Sequence, residues 1–159
     1  MDDRYFDDLA DMPNLRSVSF TDAEMTDDGN EFRFDGIAAP TGYVADIGEF
    51  SEEYERGSFR RFLSSNTANI PFLHEHNPRD LLATTKSGRL QLSEDGRGLR
   101  ARANVVKTDL SERVKALVDA GDIGGMSIGM IVGRENQKIS TRSGKPHRKR
   151  EWSWRQMTC

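Results

Sequence analysis

Cysteine is nearly absent from this chain: there is one, Cys159, at the last of 159 positions. A single thiol excludes an internal disulfide framework and any cysteine-based metal cluster, and it fits a reducing compartment. Histidine is almost as scarce, with three in all. No apolar run approaches the roughly 18 residues of a membrane-spanning helix, so no membrane is expected among the partners. There is no basic excess either. The net charge of -3 gives no overall electrostatic footprint for nucleic acid. The opening Met1-Asp2-Asp3-Arg4 is acidic with no apolar stretch behind it, unlike a signal peptide. Internal repeats and low-complexity tracts are missing too.

What is present suits one domain with a real core. The apolar fraction is 35% and the charged fraction 31%, polar for a globular chain but not a disordered composition. Residues 1–30 are acidic and lack periodicity, and are expected to form a mobile arm with one short strand near Val18-Ser19-Phe20. Asp27-Asp28-Gly29-Asn30 reads as a turn. Residues 32–38 alternate and carry aromatics, which predicts a strand. Phe59, Phe62 and Leu63 fall at i, i+3, i+4, which predicts a short helix over 58–63. Two alternating runs, 89–92 and 99–105, flank an Asp-Gly turn and predict a hairpin. The clearest helix is 110–120, with Asp109 as cap, Glu112 completing a capping box and Gly121 ending it. An apolar, glycine-rich strand follows over 123–132. From Gly133 the chain turns basic, and its pattern is convincing for neither helix nor strand.

Ser127 lies in that strand, between Met126 and Ile128, with Gly125 and Gly129 nearby. Small neighbours leave room for a substrate backbone, although a serine here can also simply hydrogen-bond within a sheet. Residues 125–129 match Gly-x-Ser-x-Gly, but a nucleophile elbow needs a sharp turn into a helix. Here the strand continues through Ile131 and Val132. His74 and His76 flank Glu75 and, read as a strand, share one face. Such a pair can chelate a metal, yet no third ligand stands at a recognisable spacing. Structural or surface histidines are the other reading.

The order of motifs resembles the tailed-phage prohead (capsid maturation) serine protease family, related to herpesvirus assemblin. Glu55-Arg56-Gly57-Ser58-Phe59 resembles the family's entry into a helix. His76-Asn77-Pro78 with Leu82-Ala83-Thr84-Thr85 resembles its histidine segment and the strand after it. Gly88-Arg89-Leu90 with Asp95-Gly96-Arg97-Gly98-Leu99 is similar to its hairpin, and Gly124-Gly125-Met126-Ser127-Ile128-Gly129-Met130 to its nucleophile strand.

The resemblance implies Ser127 as nucleophile and His76 as general base. It implies an α+β fold, a mostly antiparallel β-barrel with flanking helices of the assemblin type. Residues 31–132 would be the protease domain, preceded by the arm 1–30. Residues 133–159 would be a basic, atypical tail, poorly packed and lacking the family's C-terminal strand, as a truncation would produce; Trp152 and Trp154, at alternate positions, are the exceptions, able to dock as a makeshift strand in its place. The third triad member then has no counterpart: Glu135, Glu151 and His147 follow the nucleophile, but none sits in a matching motif. The implied function is a serine endopeptidase that cleaves scaffold, capsid protein and itself during procapsid maturation. Its partners would be the major capsid protein with its scaffolding region, and further copies of itself. It would work in the procapsid, within the host bacterium or from a prophage, with no cofactor, metal or nucleic acid. The alternative is a catalytically impaired or non-enzymatic capsid assembly module derived from such a protease.

Overall fold

The computed structural model of the chain describes residues 16–19, 23–46, 51–65, 69–132, 137–142, 144–150 and 154–158. In chain order the described elements begin with strands β1 (Arg16–Ser19), β2 (Glu24–Asp27), β3 (Glu31–Pro40), β4 (Val44–Asp46) and β5 (Ser51–Tyr54). Helix α1 (Ser58–Ser65) follows, then β6 (Pro71–Leu73), β7 (Leu81–Thr84), β8 (Leu90–Glu94) and β9 (Gly98–Val106). Helix α2 (Asp109–Ala120) leads to β10 (Gly125–Val132), β11 (Gln137–Arg142), β12 (Lys145–Arg150) and β13 (Trp154–Thr158).

Strand alternation builds the core. Phe32 and Phe34 of β3 are buried while Arg33 between them is exposed. Successive side chains of a strand point to opposite faces, so the apolar set forms one wall. Strands β2, β3, β9 and β8 lie in that order and pair antiparallel throughout. Phe32 stands opposite Val105, and Ala103 opposite both Phe34 and Leu90. All five are buried. The outer face is ionic: Asp35 accepts from Arg100 Nε at 2.6 Å and from Arg102 Nε at 3.2 Å. Its carboxyl is held below the ordinary range, chiefly by the Arg100 hydrogen bond.

The local signals act through backbone donors. Asp27 Oδ1 accepts from Gly29 N at 2.8 Å, and Asp28 Oδ1 from Glu31 N at 3.0 Å, closing the β2–β3 turn. Thus residues 24–27, read from sequence as part of an arm, are a strand of the main sheet, with Met25 buried. Helix α1 is capped from a distance. The Glu94 carboxylate on β8 accepts from Gly57 N at 2.5 Å and Arg60 N at 2.7 Å, where orphan donors and the helix dipole favour an anion. Helix α2 starts one residue earlier than the sequence suggests. Thr108 is its N-cap, its hydroxyl accepting from the Ser111 N–H, and Ser111 completes the capping box by accepting at its own hydroxyl from the Thr108 N–H. Gly121, in the left-handed conformation at φ 82°, ends it as expected.

After β10 the described backbone departs from the expected loose tail. β13 pairs antiparallel with β10, and β11 with β12. β12 also runs parallel to β5, placing His147 opposite Ser51 and Arg150 opposite Tyr54. The basic composition hid these strands because their pairing is made by the main chain, whatever the side chains carry. A strand is therefore present after β10 and beside it. The chain is mostly antiparallel strands with two helices, and among the described residues the pairing forms four sheets with no closed ring. No described helix is long and apolar enough to cross a membrane.

Gly98 is the tightest point of the main sheet. Its φ is +150°, and a Cβ there would collide with the carbonyl oxygen of Ala39 on the paired strand. Backbone cannot retreat as a flexible side chain can. Gly98→Ala should therefore lower unfolding stability by more than about 2 kcal/mol in urea titration. Gly88→Ala should do much less, because a Cβ there meets nothing within 4 Å and only its positive φ is penalised.

Candidate active site

Two pieces of chain far apart in sequence meet at Ser127. The first is β10. Met126 and Ile128 are buried in the core, and strand alternation turns Ser127, half-buried, the other way. The approach to this strand is open. Gly121 stops α2, Asp122 N donates to Leu117 O at 2.9 Å, and a Cβ on Gly124 would meet nothing within 4 Å. β1 lies antiparallel along the same strand, with Ser17 opposite Ser127.

The second piece is the connection between β6 and β7, where the sequence reading and the structure part. His74 and His76 do not share a strand face, because β6 ends at Leu73. Instead Asn77 N donates to His74 O at 3.0 Å, which closes a turn whose central residues, Glu75 and His76, have φ of 52° and 54°. Positive φ at both centres is the signature of a type I′ turn, usually filled by Gly, Asn or Asp. A second turn follows at once. Asp80 N donates to Asn77 O at 2.9 Å, with Pro78 at the position where a fixed φ helps. Asn77 Oδ1 also accepts from Arg79 N at 3.1 Å, and His74 N donates to Asp80 O at 3.0 Å. Two turns locked in tandem thus hold the His76 backbone in a conformation that a non-glycine residue enters only at a cost.

The result is a contact between His76 Nε2 and Ser127 Oγ. The ring is half-buried, and that desolvation moves its pKa below the ordinary histidine value. The neutral imidazole is therefore favoured. With its proton on Nδ1, the ring accepts the Ser127 hydroxyl hydrogen bond at Nε2. Both side chains open on a cleft of about 310 Å³ whose other walls come from β3, β6 and α2.

His74 lines the same cleft but takes a different role. It is mostly buried, with Nδ1 lacking a hydrogen-bond partner and 3.6 Å from Asp80 Oδ2. Among the described residues no cluster of three or more histidine, cysteine or acidic side chains forms a metal cage. Glu135 and Glu151, considered from sequence for the third triad position, lie outside the described residues. His147 belongs to β12, at a register opposite Ser140 and Ser51. The left-handed turn at Glu75-His76 escaped sequence reasoning. Its only signal was Asn77-Pro78, which punctuates the second turn and not the first.

The comparisons with known proteins agree in direction. The sequence model of caudovirus prohead serine proteases matches residues 19–153. The solved structure of the bacteriophage T4 capsid assembly protease, gp21, superposes with a TM-score of 0.52 at 11% identity, covering 91% of this chain and 96% of that one. At so low an identity the likeness is one of fold. Among curated proteins no sequence matches the chain significantly.

The burial of His76 can be read directly. In an NMR titration of the folded chain its imidazole should titrate below about 6.5. A depressed folded value means that the unfolded chain takes up the proton more readily. Stability should therefore fall as pH drops below the unfolded value, and His76→Phe should flatten that part of the curve.

Proposed function

The chain belongs to the caudovirus prohead serine protease family, and on that premise we propose that it is a serine endopeptidase with Ser127 as nucleophile and His76 as general base. The observation that carries this reading is the contact of His76 Nε2 with Ser127 Oγ, made by two elements 51 residues apart. Ser127 Oγ attacks the scissile carbonyl carbon while His76 Nε2 removes its proton. The C–N bond then breaks, and His76 returns the proton to the leaving amine. A water deprotonated by the same ring releases the acyl group and restores the serine. An imidazole with a depressed pKa is already unprotonated at neutral pH, which suits the first step.

The substrates in this reading are the capsid protein with its scaffolding region and other copies of the chain, met inside a procapsid in the host cell. Capsid assembly is the role named for the T4 protease that shares the fold, and family membership supports the same role here. We read the protease unit as wider than residues 31–132, since β2 and β11 to β13 pair with it. Its four sheets are taken as arcs of one barrel wall of the assemblin type.

Ser127→Ala should reduce cleavage of a capsid–scaffold fusion by at least about 10³-fold, with the circular dichroism spectrum and melting point kept. His76→Ala should cost a similar factor, and the double variant little more than either alone, since the two act as a unit. The rate should rise with pH through a value below about 6.5 and then level off, as His76 loses its proton. Chelators should have no effect. Full cleavage by Ser127→Ala would end the serine mechanism. A folded wild-type chain that cuts nothing would favour an assembly module.

A further inference from the structure

The cleft that opens on Ser127 and His76 is walled mainly by hydrocarbon. Phe34 and Phe72 line it with their ring centroids 5.2 Å apart. Val114, Val118 and Ile123, from α2 and the segment after it, line it too. At about 310 Å³ the cleft has room for a large side chain, and it begins at the nucleophile strand itself. Its charged lining is of one sign. Glu75 and Asp122 are both exposed, and no lysine or arginine lines the cleft among the described residues. An apolar side chain entering here exchanges water for hydrocarbon contact. A substrate carboxylate entering here would be desolvated beside two carboxylates, with no described lysine or arginine to meet it.

We propose that this cleft is the specificity subsite, that it selects a large aliphatic or aromatic side chain adjoining the cleaved bond, and that Glu75 and Asp122 keep acidic side chains out of it. The assignment rests on the serine protease reading above and deepens it. Val118 is in this reading a specificity-determining residue: it sits partly buried on α2 and lines the cleft, so a change in its size changes the space a substrate side chain can fill. One methylene more or less in an apolar pocket changes discrimination by about 10- to 200-fold.

The test is a complex peptide mixture cut by the full-length chain, with each cleaved bond located by mass spectrometry and Ser127→Ala as the blank. Large apolar residues should be enriched at a position adjoining the cleaved bond, and Asp and Glu depleted there. Val118→Phe fills the cleft and should shift the preference toward Ala and Val, with leucine- and phenylalanine-containing peptides losing at least about 10-fold in kcat/KM. Val118→Ala deepens the cleft and should shift the preference the other way, so either variant suffices if the other fails to fold. Asp122→Asn with Glu75→Gln should relieve the acidic depletion. Ser127-dependent cleavage with no apolar preference, or with a preference that neither Val118 variant moves, would overturn the subsite and leave the protease reading intact. No Ser127-dependent cleavage at all would remove the protease reading, and the subsite with it.

Discussion

His76 and Ser127, 51 residues apart, meet only because both are held in place. That contact is the constraint on which the site depends, and it is met by backbone. Glu75 and His76 sit in the left-handed region, which side chains other than glycine enter at roughly 1–2 kcal/mol each. The tandem turns offset this with main-chain bonds from Asn77 and Asp80, and the Asn77 side chain adds a bond of its own. Glycine at position 76 would relax the turn and delete the imidazole. The strain therefore stays with an imidazole carried on a sharp reversal.

The rest of the fold supplies the other half of the contact. Ile128 is fully buried and Met126 nearly so, and they anchor β10 in the core on either side of the serine. Phe34 links that core to β6 by packing its ring 5.2 Å from Phe72, on the strand that leads into the histidine turn. The sheet that presents Phe34 is itself closed by Asp-rich turns and by Gly98, where two backbones approach too closely for any larger residue. Positioning thus passes from sheet to strand to turn through packed side chains, and only the last step is polar.

Local periodicity made part of this legible. The hairpin of β8 and β9 and the helix α2 follow from alternation and from residues three and four apart, so neighbours in sequence carry the signal. Ser127 and His76 were singled out for another reason: their surroundings resemble family motifs, and nothing in their spacing says that they touch. The conformation of His76 was not legible. Glu-His at the centre of a left-handed turn breaks turn propensity, and only the fold around it enforces the choice. The pairing of β11 and β12 was missed because β12 reads Lys-Pro-His-Arg-Lys-Arg, which argues against a sheet interior, whereas the alternate tryptophans allowed a strand where β13 lies. Proline is tolerated because Pro146 faces Thr141 on β11, and the pairing with β5 begins only at His147. β5 was equally disguised: Ser51-Glu52-Glu53-Tyr54 looks like surface, yet Glu52 is only 2% exposed.

The pairing of β1 with β10 sets a schedule. Ser17 and Ser127 are register partners more than a hundred residues apart, and β13, which also holds β10, is made from the last residues described. Closing loops of that length costs entropy before any contact repays it, so such strands zip late. During synthesis the histidine turn and its hairpins can condense while the serine strand is still inside the ribosome. That strand is paired on both sides only once β13 has also been made. A nascent chain therefore lacks a settled contact between His76 and Ser127 until these late pairings are made.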